Sequence, residues 1–344
     1  MQNLPKVTII IPCRNEESFI EGCLNSVVNM DYPKEKIEIF VVDGLSTDKT
    51  VDIAIKYAEK YPFMKILKNE KRIFPAAVNL GHKKSSGEVI AIFGAHAIYE
   101  SNYISLCVKY LEELEADNVG GVLNTIGLND SVIGKAITNV LSSSFGVGNS
   151  TFRTGTEKIV ESDTVFGGCY RKSVFEKIGI FNEYLISSSD MDFNTRLWKS
   201  GGKIFLIPEI IITYYTRSDF PSFCRNNFRN GVWAIYPMKF IKYMPVSLRH
   251  LIPLIFVSGL FGSLILSFFI SIFFYLFLAI VFSYSLTNSY FSGKIASKEK
   301  DFRYFFVMPV IFTTLHISYG LGSVVGLVKV LFSKNFHLTR LRNK

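Results

Sequence analysis

Short polar clusters follow three apolar runs in the first hundred residues, and their side chains could bind a ligand. The clusters are Pro12-Cys-Arg-Asn-Glu-Glu17, Asp43-Gly-Leu-Ser-Thr-Asp-Lys-Thr50 and Gly94-Ala-His-Ala97. A carboxylate such as Asp43 at a strand end can accept hydrogen bonds from a base or a ribose, and an imidazole such as His96 can ligate a metal or bind phosphate. Considered alone, Ser46, Thr47 and Asp48 are more simply explained as a helix cap, and His96 as a structural histidine.

A fourth cluster places carboxylates where a helix would begin. It reads Ser187-Ser-Ser-Asp190-Met-Asp192-Phe-Asn-Thr-Arg196. Asp190 could serve as a general base, because a carboxylate held in a fixed place can take the proton of a reacting hydroxyl. The same residues are equally well explained as helix-start carboxylates with an ion pair between Asp192 and Arg196, four positions apart.

The elements that must position these clusters alternate between strand and helix patterns. The strand runs are Val7–Ile11, Ile37–Val42 and Val89–Phe93, and the helix candidates are Ser18–Met30 and Thr47–Tyr61. This order predicts an α/β domain with a parallel sheet and helices on both faces. Ligands of such domains bind at the carboxyl ends of the strands, which is where the polar clusters fall.

Together these segments resemble the inverting family-2 glycosyltransferases with a GT-A fold. The motifs are Val7–Glu16, Val41–Thr50, Pro75–Gly81 with Gly87-Glu88, Gly167–Arg171, Gly179–Glu183 and Asp190–Arg196, in order within about residues 5–235. Asn69–Pro75, Gly94–Ala97 and Asn118–Gly121 are most similar to the branch that includes the succinoglycan-biosynthesis glucosyltransferase, whose members carry C-terminal membrane segments. The resemblance implies a mostly parallel sheet flanked by helices, followed by transmembrane helices.

The resemblance also implies roles for individual residues. Asp190 corresponds to the catalytic base of the family, which takes a proton from the acceptor hydroxyl. The positions on the donor and nucleotide side are Pro12, Arg14, Glu16, Asp43, Arg72, Asn79, Gly94 and Ala95. Those on the acceptor or diphosphate side are Gly167, Gly168, Asp192, Arg196 and Arg229.

One position departs from the family pattern and puts a metal cofactor in doubt. Gly94 stands where the first aspartate of the DxD motif is expected, and His96 stands at its last position. Three alternatives follow. A divalent cation, Mn²⁺ or Mg²⁺, could be held by His96 with diphosphate and water; Arg or Lys could replace the metal; or the enzyme could be weak or inactive.

The charge distribution excludes a soluble nucleic-acid binder. The chain has 344 residues and a net charge of +9, but residues 251–344 carry nine Lys and Arg against Glu299 and Asp301. The first 250 residues are therefore almost neutral, whereas nucleic-acid binding requires a basic surface. The five cysteines are widely spaced and predict free thiols in a reducing compartment.

Two long stretches without charged residues predict membrane segments. The first lies between Arg249 and Lys294 and the second runs from Tyr304 to Val328. A membrane crossing needs ~20 apolar residues, so we expect two to three or more segments, at about 251–268, 270–287 and 304–328. Within the last, Gly322 and Gly326 have the GxxxG spacing of closely packed membrane helices.

The flanks of these segments set the expected domain boundaries. Residues 1–219 are predicted to form a cytosolic catalytic domain without a signal peptide, 220–249 an amphipathic interfacial segment, 250–333 the membrane region and 334–344 a basic tail. The loop Lys294–Arg303 and the tail are both basic, so both are expected on the cytoplasmic side. A third full crossing would separate them, unless the last segment is re-entrant or interfacial.

The expected function is that of a multi-pass enzyme of the cell (inner, cytoplasmic) membrane. It would move a sugar from a nucleotide-diphosphate donor, chiefly a UDP-sugar, to a lipid-linked or growing glycan in cell-surface polysaccharide synthesis. Other polysaccharide-assembly proteins are candidate partners, and nucleic acid is not. The alternative is a weak or inactive protein that binds nucleotide sugar or glycan within such a complex.

Overall fold

The computed structural model describes residues 4–216, 219–241, 243–244 and 246–332. The described residues fall into two compact units, one within Met1–Asn129 and Leu141–Arg217, the other within Asp130–Val140 and Ser218–Lys344. The strands are β1 (Val7–Cys13), β2 (Ile37–Asp43), β3 (Met64–Lys68), β4 (Val89–Ile92), β5 (Ala97–Tyr99), β6 (Asn118–Gly127), β7 (Val160–Glu161), β8 (Phe166–Arg171) and β9 (Ile204–Thr216). The helices are α1 (Ile20–Val28), α2 (Thr50–Lys60), α3 (Phe74–Lys84), α4 (Tyr103–Glu113), α5 (Val132–Leu141), α6 (Ser144–Val147), α7 (Thr151–Thr154), α8 (Lys172–Ile178), α9 (Ser189–Lys199), α10 (Phe220–Ile235), α11 (Ile252–Ser267), α12 (Ile272–Glu299) and α13 (Arg303–Phe332).

The first unit is built on one mixed sheet. Its strand order is β3-β2-β1-β4-β8-β6-β9-β5, with β7 paired to β9. The first four strands are parallel, as expected, whereas β8 runs antiparallel to both of its neighbours. The parallel register aligns Cys13 with Asp43, so the ends of β1 and β2 lie side by side. This alignment positions the first two polar clusters at one edge.

Both faces of the sheet are covered, which explains the continuous apolar runs. Ile9 and Ile11 belong to one buried cluster, and Ile10, between them, belongs to the cluster on the other face. Successive strand residues point to opposite faces, so a strand covered on both sides is apolar at most positions. The predicted strands are confirmed, but α1 begins at Ile20 and α2 at Thr50, two and three residues later than expected.

The cysteines are free, as predicted. Cys13, Cys23, Cys107 and Cys169 are buried and Cys224 is half-buried. Burial, together with the nearby carboxylates of Asp43 and Glu16, raises the pKa of Cys13 to about 12. This thiol therefore stays protonated and takes no part in nucleophilic chemistry.

The second unit contains α5 and the long apolar helices. Three described helices have the length and composition of membrane crossings: Leu248–Ser267, Ile272–Glu299 and Arg303–Phe332. The third contains the predicted segment 304–328, and the first two cover 251–268 and 270–287 except for residue 268 and residues 270–271. The expectation of a basic loop at Lys294–Arg303 is wrong, because α12 continues to Glu299 and only 300–302 connect it to α13. The basic tail 334–344 lies outside the described residues.

The glycine pair in α13 marks a close helix contact, as its spacing predicted. A Cβ atom on Gly322 would lie 2.0 Å from the carbonyl oxygen of Phe228, and one on Gly326 would lie 2.7 Å from that of Val232. Gly231 of α10 is equally constrained, since its Cβ would lie 2.0 Å from the carbonyl oxygen of Tyr319. The expected interfacial segment 220–249 thus begins with a helix that is packed along α13 through backbone contacts.

Candidate functional site

The loops that follow β1 and β2 are held together by side-chain and backbone hydrogen bonds. Asn15 has a left-handed backbone (φ 56°), its N–H donates to Ser46 Oγ at 2.9 Å, and its Oδ1 accepts from the Thr47 N–H at 2.8 Å. Gly44 N–H donates to the Cys13 carbonyl at 2.9 Å. Pro12, at the end of β1, and the neighbouring exposed Arg14 are therefore placed beside Asp43.

Asp43 is buried, and its carboxylate uses only part of its capacity to accept hydrogen bonds. Its Oδ1 accepts from the Ser46 hydroxyl at 2.5 Å, and its Oδ2 accepts from the Ser46 N–H at 3.1 Å. A carboxylate can accept about four hydrogen bonds, so acceptor capacity remains for a ligand. Asp43 can therefore stabilise the turn through Ser46 and also contact a nucleotide.

His96 is bridged between Glu16 and Tyr214. Its Nδ1 lies 3.6 Å from Glu16 Oε1, and its Nε2 lies 3.1 Å from the Tyr214 hydroxyl. Glu16 is fixed in turn, since its N–H donates to Thr50 Oγ1 at 2.7 Å. Both ring nitrogens of His96 thus face protein groups.

Gly94 and Ala95 lie in a tightly packed turn. The Gly94 N–H donates to the Tyr99 hydroxyl at 2.7 Å, and a Cβ atom at position 94 would lie 3.2 Å from Phe166 Cζ. Ala95 is buried. A side chain at position 94 would therefore require Phe166 to move.

The donor set does not fit a metal held by the protein. Throughout the described residues, no group of three or more His, Cys, Asp or Glu side chains could hold an ion. At the position of the predicted site, His96 and Glu16 are the nearest pair, and Gly94 contributes no ligand. Mg²⁺ and Mn²⁺ prefer several oxygen ligands, so His96 is a poor anchor for either ion.

Asp190 stands at the start of α9 and is exposed. Ser188, which precedes the helix, has a left-handed backbone (φ 62°), and the nearby backbone N–H groups of Met191 and Asp190 favour the charged form of the carboxylate. Surrounding protein nevertheless removes water from the group, and this desolvation raises the pKa of Asp190 above its usual value. An accessible carboxylate with a raised pKa is suited to accept a proton.

Asp192 and Arg196 form a structural ion pair. Asp192 is 1% exposed and its Oδ2 lies 3.0 Å from Arg196 Nη2. Arg196 also donates to the carbonyl oxygens of Ile178 at 2.5 Å and Ile180 at 2.9 Å. The pair holds the segment after α8 against α9, which accounts for both residues without an acceptor ligand.

Asn79 fastens the same region to α3. Its Nδ2 donates to the Phe181 carbonyl at 2.9 Å and to Glu183 Oε1 at 3.0 Å, and its Oδ1 accepts from the Phe181 N–H at 2.9 Å. Both donors of the amide are thereby used within the protein. The structure gives Asn79 a positioning role at the predicted donor side.

Gly167 and Gly168 are required by packing. Gly167 has φ +63°, its carbonyl accepts from the Tyr103 hydroxyl at 2.8 Å, and a Cβ would lie 2.6 Å from that hydroxyl. A Cβ on Gly168 would lie 2.7 Å from Asn118 Oδ1. Neither glycine can be replaced without moving a buried polar group.

The remaining predicted residues are exposed cations. Arg72 has φ 58° and its N–H donates to the Asn69 carbonyl at 3.2 Å, while the neighbouring Lys71 pairs with Glu183. Arg229 lies in α10 and belongs to the second unit. The structure therefore brings together the positions after β1, β2 and β4, and it places Arg229 in a separate unit.

Sequence reasoning missed Tyr214 and Arg153. Tyr214 ends the apolar part of β9, where an aromatic residue carries no chemical signal, and Arg153 lies in a one-turn helix without a motif. The pairing of β5 with β9, which aligns Ala97 with Tyr214, brings Tyr214 to His96. The Arg153 guanidinium carbon lies 5.9 Å from the centroid of the Tyr214 ring.

Comparisons with known proteins agree with this geometry. A family profile described as "Glycosyl transferase family 2" matches residues 8–179. The chain is 35% identical over 232 residues, 65% of its length and 71% of the other, to a dolichyl N-acetyl-alpha-D-glucosaminyl phosphate 3-beta-D-2,3-diacetamido-2,3-dideoxy-beta-D-glucuronosyltransferase of Methanococcus voltae. It is 29% identical over 263 residues, covering 75% of this chain and 77% of the relative, to the succinoglycan biosynthesis protein ExoA of Rhizobium meliloti.

A solved structure shares the fold. The mannosyltransferase PcManGT of Pyrobaculum calidifontis, solved in complex with GDP-Man and Mn²⁺, superposes with a TM-score of 0.58 over 97% of this chain and 89% of its own, at 17% identity. The predicted GT-A fold, including C-terminal apolar helices of membrane-span length, is thereby confirmed.

Proposed function

We propose a specific reaction from the premise that the chain belongs to glycosyl transferase family 2 and is a glycosyltransferase. It moves a sugar from a nucleotide-diphosphate donor to a lipid-linked glycan acceptor, with inversion at the anomeric carbon. The single observation that carries the proposal is Asp190, an exposed carboxylate at a helix start whose pKa is raised by desolvation. A group of this kind is poised to take up a proton.

The donor nucleotide is proposed to bind at the ends of β1 and β2. Asp43 retains acceptor capacity beside backbone that is fixed by Asn15 and Ser46, which suits the N–H and O–H groups of a base and ribose. UDP is the nucleotide that the family resemblance favours. Arg14 is an exposed cation at the same edge, and its Cβ lies 3.3 Å from where a Cβ atom of Gly44 would be.

The chemical step needs one base on the chain. The acceptor hydroxyl attacks the anomeric carbon while its proton passes to the Asp190 carboxylate, and the bond to the diphosphate oxygen breaks with its electron pair leaving on the diphosphate. Attack opposite the departing diphosphate inverts the anomeric centre. A positioned general base of this kind typically contributes about 10²–10⁴-fold to the rate.

A lipid-carried acceptor is supported by the second unit and by a relative. Three described helices have the length and composition to cross a membrane. The name of the Methanococcus voltae relative specifies a dolichyl phosphate sugar as its acceptor. We therefore place the reaction at the cytoplasmic face of the cell membrane, with a glycan held near the headgroups.

The proposal is tested with the full chain in detergent or nanodiscs. A panel of UDP- and GDP-sugars is incubated with a membrane lipid extract, and both sugar transfer and released nucleotide are measured. Asp190→Asn should lower transfer at least about 100-fold with little change in nucleotide affinity, because a general base acts mainly on the barrier. Asp43→Ala should act mainly on nucleotide affinity, weakening UDP binding by about 1.5–3 kcal/mol.

Two results would contradict the proposal. If Asp190→Asn keeps more than about a tenth of wild-type turnover, the base lies elsewhere. If the wild-type chain binds nucleotide sugar but transfers none in any combination of donor and lipid, the proposed acceptor class is wrong. Asp52→Ala, an exposed carboxylate in the first turn of α2, is the matched control and should change neither quantity.

A further inference from the structure

Arg153 is a cation without an acidic partner. In the part of the chain that the structure describes, its guanidinium makes no hydrogen bond or ion pair; its side chain is held by rings instead. The guanidinium carbon lies 5.3 Å from the centroid of Phe152 and 5.9 Å from that of Tyr214. All five N–H donors of the group are therefore available to a ligand.

The surroundings of Arg153 raise the cost of leaving it unpaired. Protein removes water from the guanidinium, and this desolvation lowers the pKa of Arg153, although an arginine side chain remains charged. A desolvated charge without a counter-ion destabilises a fold, and an anionic ligand would relieve that penalty. The group is thus suited to attract an anion.

Arg153 borders the position where the family pattern is broken. Tyr214, over which it lies, contacts His96, with ring centroids 5.0 Å apart and the hydroxyl 3.1 Å from Nε2. Phe166 packs edge-to-face on the same tyrosine at 5.5 Å, and its Cζ is 3.2 Å from where a Cβ of Gly94 would lie. The Tyr214 and Phe166 rings therefore lie between Arg153 and the turn formed by Gly94, Ala95 and His96.

Other cations near the predicted site are already paired or differently placed. Arg196 is bonded to Asp192, and Lys71 is paired with Glu183. Arg72 is exposed and follows a different strand, β3. Arg153 is the cation that combines desolvation, free donors and contact with the Tyr214–His96 pair.

We propose that Arg153 binds the diphosphate of the nucleotide-sugar donor and supplies positive charge at a site that lacks the ligands for a protein-held metal. The proposal rests on the proposed function and assigns a residue to the leaving group of that reaction. When the bond to the anomeric carbon breaks, the electron pair stays on the diphosphate oxygen. Guanidinium N–H donors stabilise that charge, and their planar fork can bind two phosphate oxygens at once.

The test measures binding of inorganic pyrophosphate and of UDP to the full chain by calorimetry in EDTA. Arg153→Gln should weaken both at least about tenfold, the loss expected for a charge-assisted hydrogen bond, while leaving the affinity for uridine unchanged. Arg153→Lys keeps the positive charge but loses the planar guanidinium, so its affinities for pyrophosphate and UDP should lie between those of wild type and Arg153→Gln. Lys109→Gln, which removes an exposed cation that lies over Tyr110 on α4, is the matched control and should have no effect.

The outcomes distinguish a failure of the Arg153 assignment from a failure of the proposed function. Pyrophosphate affinity that is the same in wild type, Arg153→Gln and Arg153→Lys overturns the assignment of Arg153. Binding that vanishes in EDTA and returns with Mn²⁺ overturns it as well, because the metal would then hold the diphosphate. Pyrophosphate binding that depends on Arg153 in a chain that transfers no sugar supports the anion site and contradicts the proposed function. Thermal midpoints of all variants, measured without ligand, show whether Arg153→Gln is folded; if it is not, Arg153→Lys carries the comparison.

Discussion

Asp190 combines access to solvent with a local environment that disfavours its charge. The two observations are compatible because a carboxylate can have protein on several sides and still meet water. Its own N–H and that of Met191 favour the charged form, but desolvation outweighs them and the pKa is raised. The arrangement favours proton uptake at the expense of stability, as is common where a residue serves a reaction.

Asp190→Asn should therefore stabilise the protein in a pH-dependent way. Because the folded state raises the pKa of Asp190, the destabilising effect is absent at pH values where the carboxyl is protonated in both states, below its usual pKa. The effect is complete above the raised pKa. We expect Asp190→Asn to have a higher thermal midpoint than wild type at pH 7, and the difference to shrink towards pH 3.

Thermal melts of both proteins across this pH range provide the measurement. Asp52→Asn, which removes an exposed carboxylate in the first turn of α2, provides the control for the general effect of removing a charge. A midpoint for Asp190→Asn that is equal to or below that of wild type at pH 7 would mean that the environment does not disfavour the carboxylate.

At the scale of single elements, sequence patterns predicted the strands that are mostly apolar. β1, β2 and β4 are buried on both faces, so they appear as runs rich in Val and Ile in spite of Thr8 and Glu38. The polar residues after each run are those that the fold brings to one edge. The helix starts were predicted too early because Ser18 and Thr47 lie in loops that are bonded to one another rather than in the helices.

The short antiparallel strands of the sheet were not predictable in the same way. β5 has three residues and β7 has two, so neither has a periodic pattern, and both are defined by their pairing with β9. The location of Tyr214 beside His96 depends on that pairing, and Arg153 is connected to His96 through the Tyr214 ring. The part of the candidate site that comes from long-range contacts was therefore invisible in the sequence, whereas the motifs that follow the parallel strands were not.

The close packing of α13 was predictable from sequence, because Gly322 and Gly326 have the spacing of closely packed helices. In the structure α13 makes this contact with α10. Gly322→Leu should disrupt it, because even a Cβ atom would lie 2.0 Å from the Phe228 carbonyl oxygen and backbone cannot yield as a side chain can. Overpacking of this kind destabilises by about 1–3 kcal/mol or more. We expect a lower thermal midpoint in detergent and a lower yield of folded protein.

Gly262→Leu is the matched control for that experiment. Gly262 lies in α11, also an apolar helix, but a Cβ atom there would meet no other atom within 4 Å. The same glycine-to-leucine change should therefore leave the thermal midpoint almost unchanged or raise it through helix propensity. Equal losses at both positions would show that α10 and α13 are not in close contact.

The two units differ in how they expose apolar residues. In the first unit the large apolar side chains are mostly buried, and Trp198, at 60% exposure, is an exception. In the second unit, α11, α12 and α13 expose Phe, Leu and Ile along their lengths, with Phe268, Phe269 and Phe282 all above 70%. A continuous apolar surface of this kind requires a non-aqueous partner. The three membrane-span helices have 20 to 30 residues, so their lengths of about 30–45 Å are sufficient for a bilayer core of ~30 Å.

Phe282→Asp tests whether that surface faces lipid. A carboxylate near the middle of a membrane helix costs about 2.5–3.5 kcal/mol on insertion scales, whereas the same change on a water-facing surface costs little. Trp198→Asp replaces a comparably exposed aromatic residue of the first unit and is the matched control. We expect Phe282→Asp to reduce the amount of chain that remains in membranes after an alkaline carbonate wash, and Trp198→Asp to leave it unchanged. If both variants stay in the membrane fraction at wild-type levels, residue 282 faces water or another protein, and the crossing assigned to α12 must be revised.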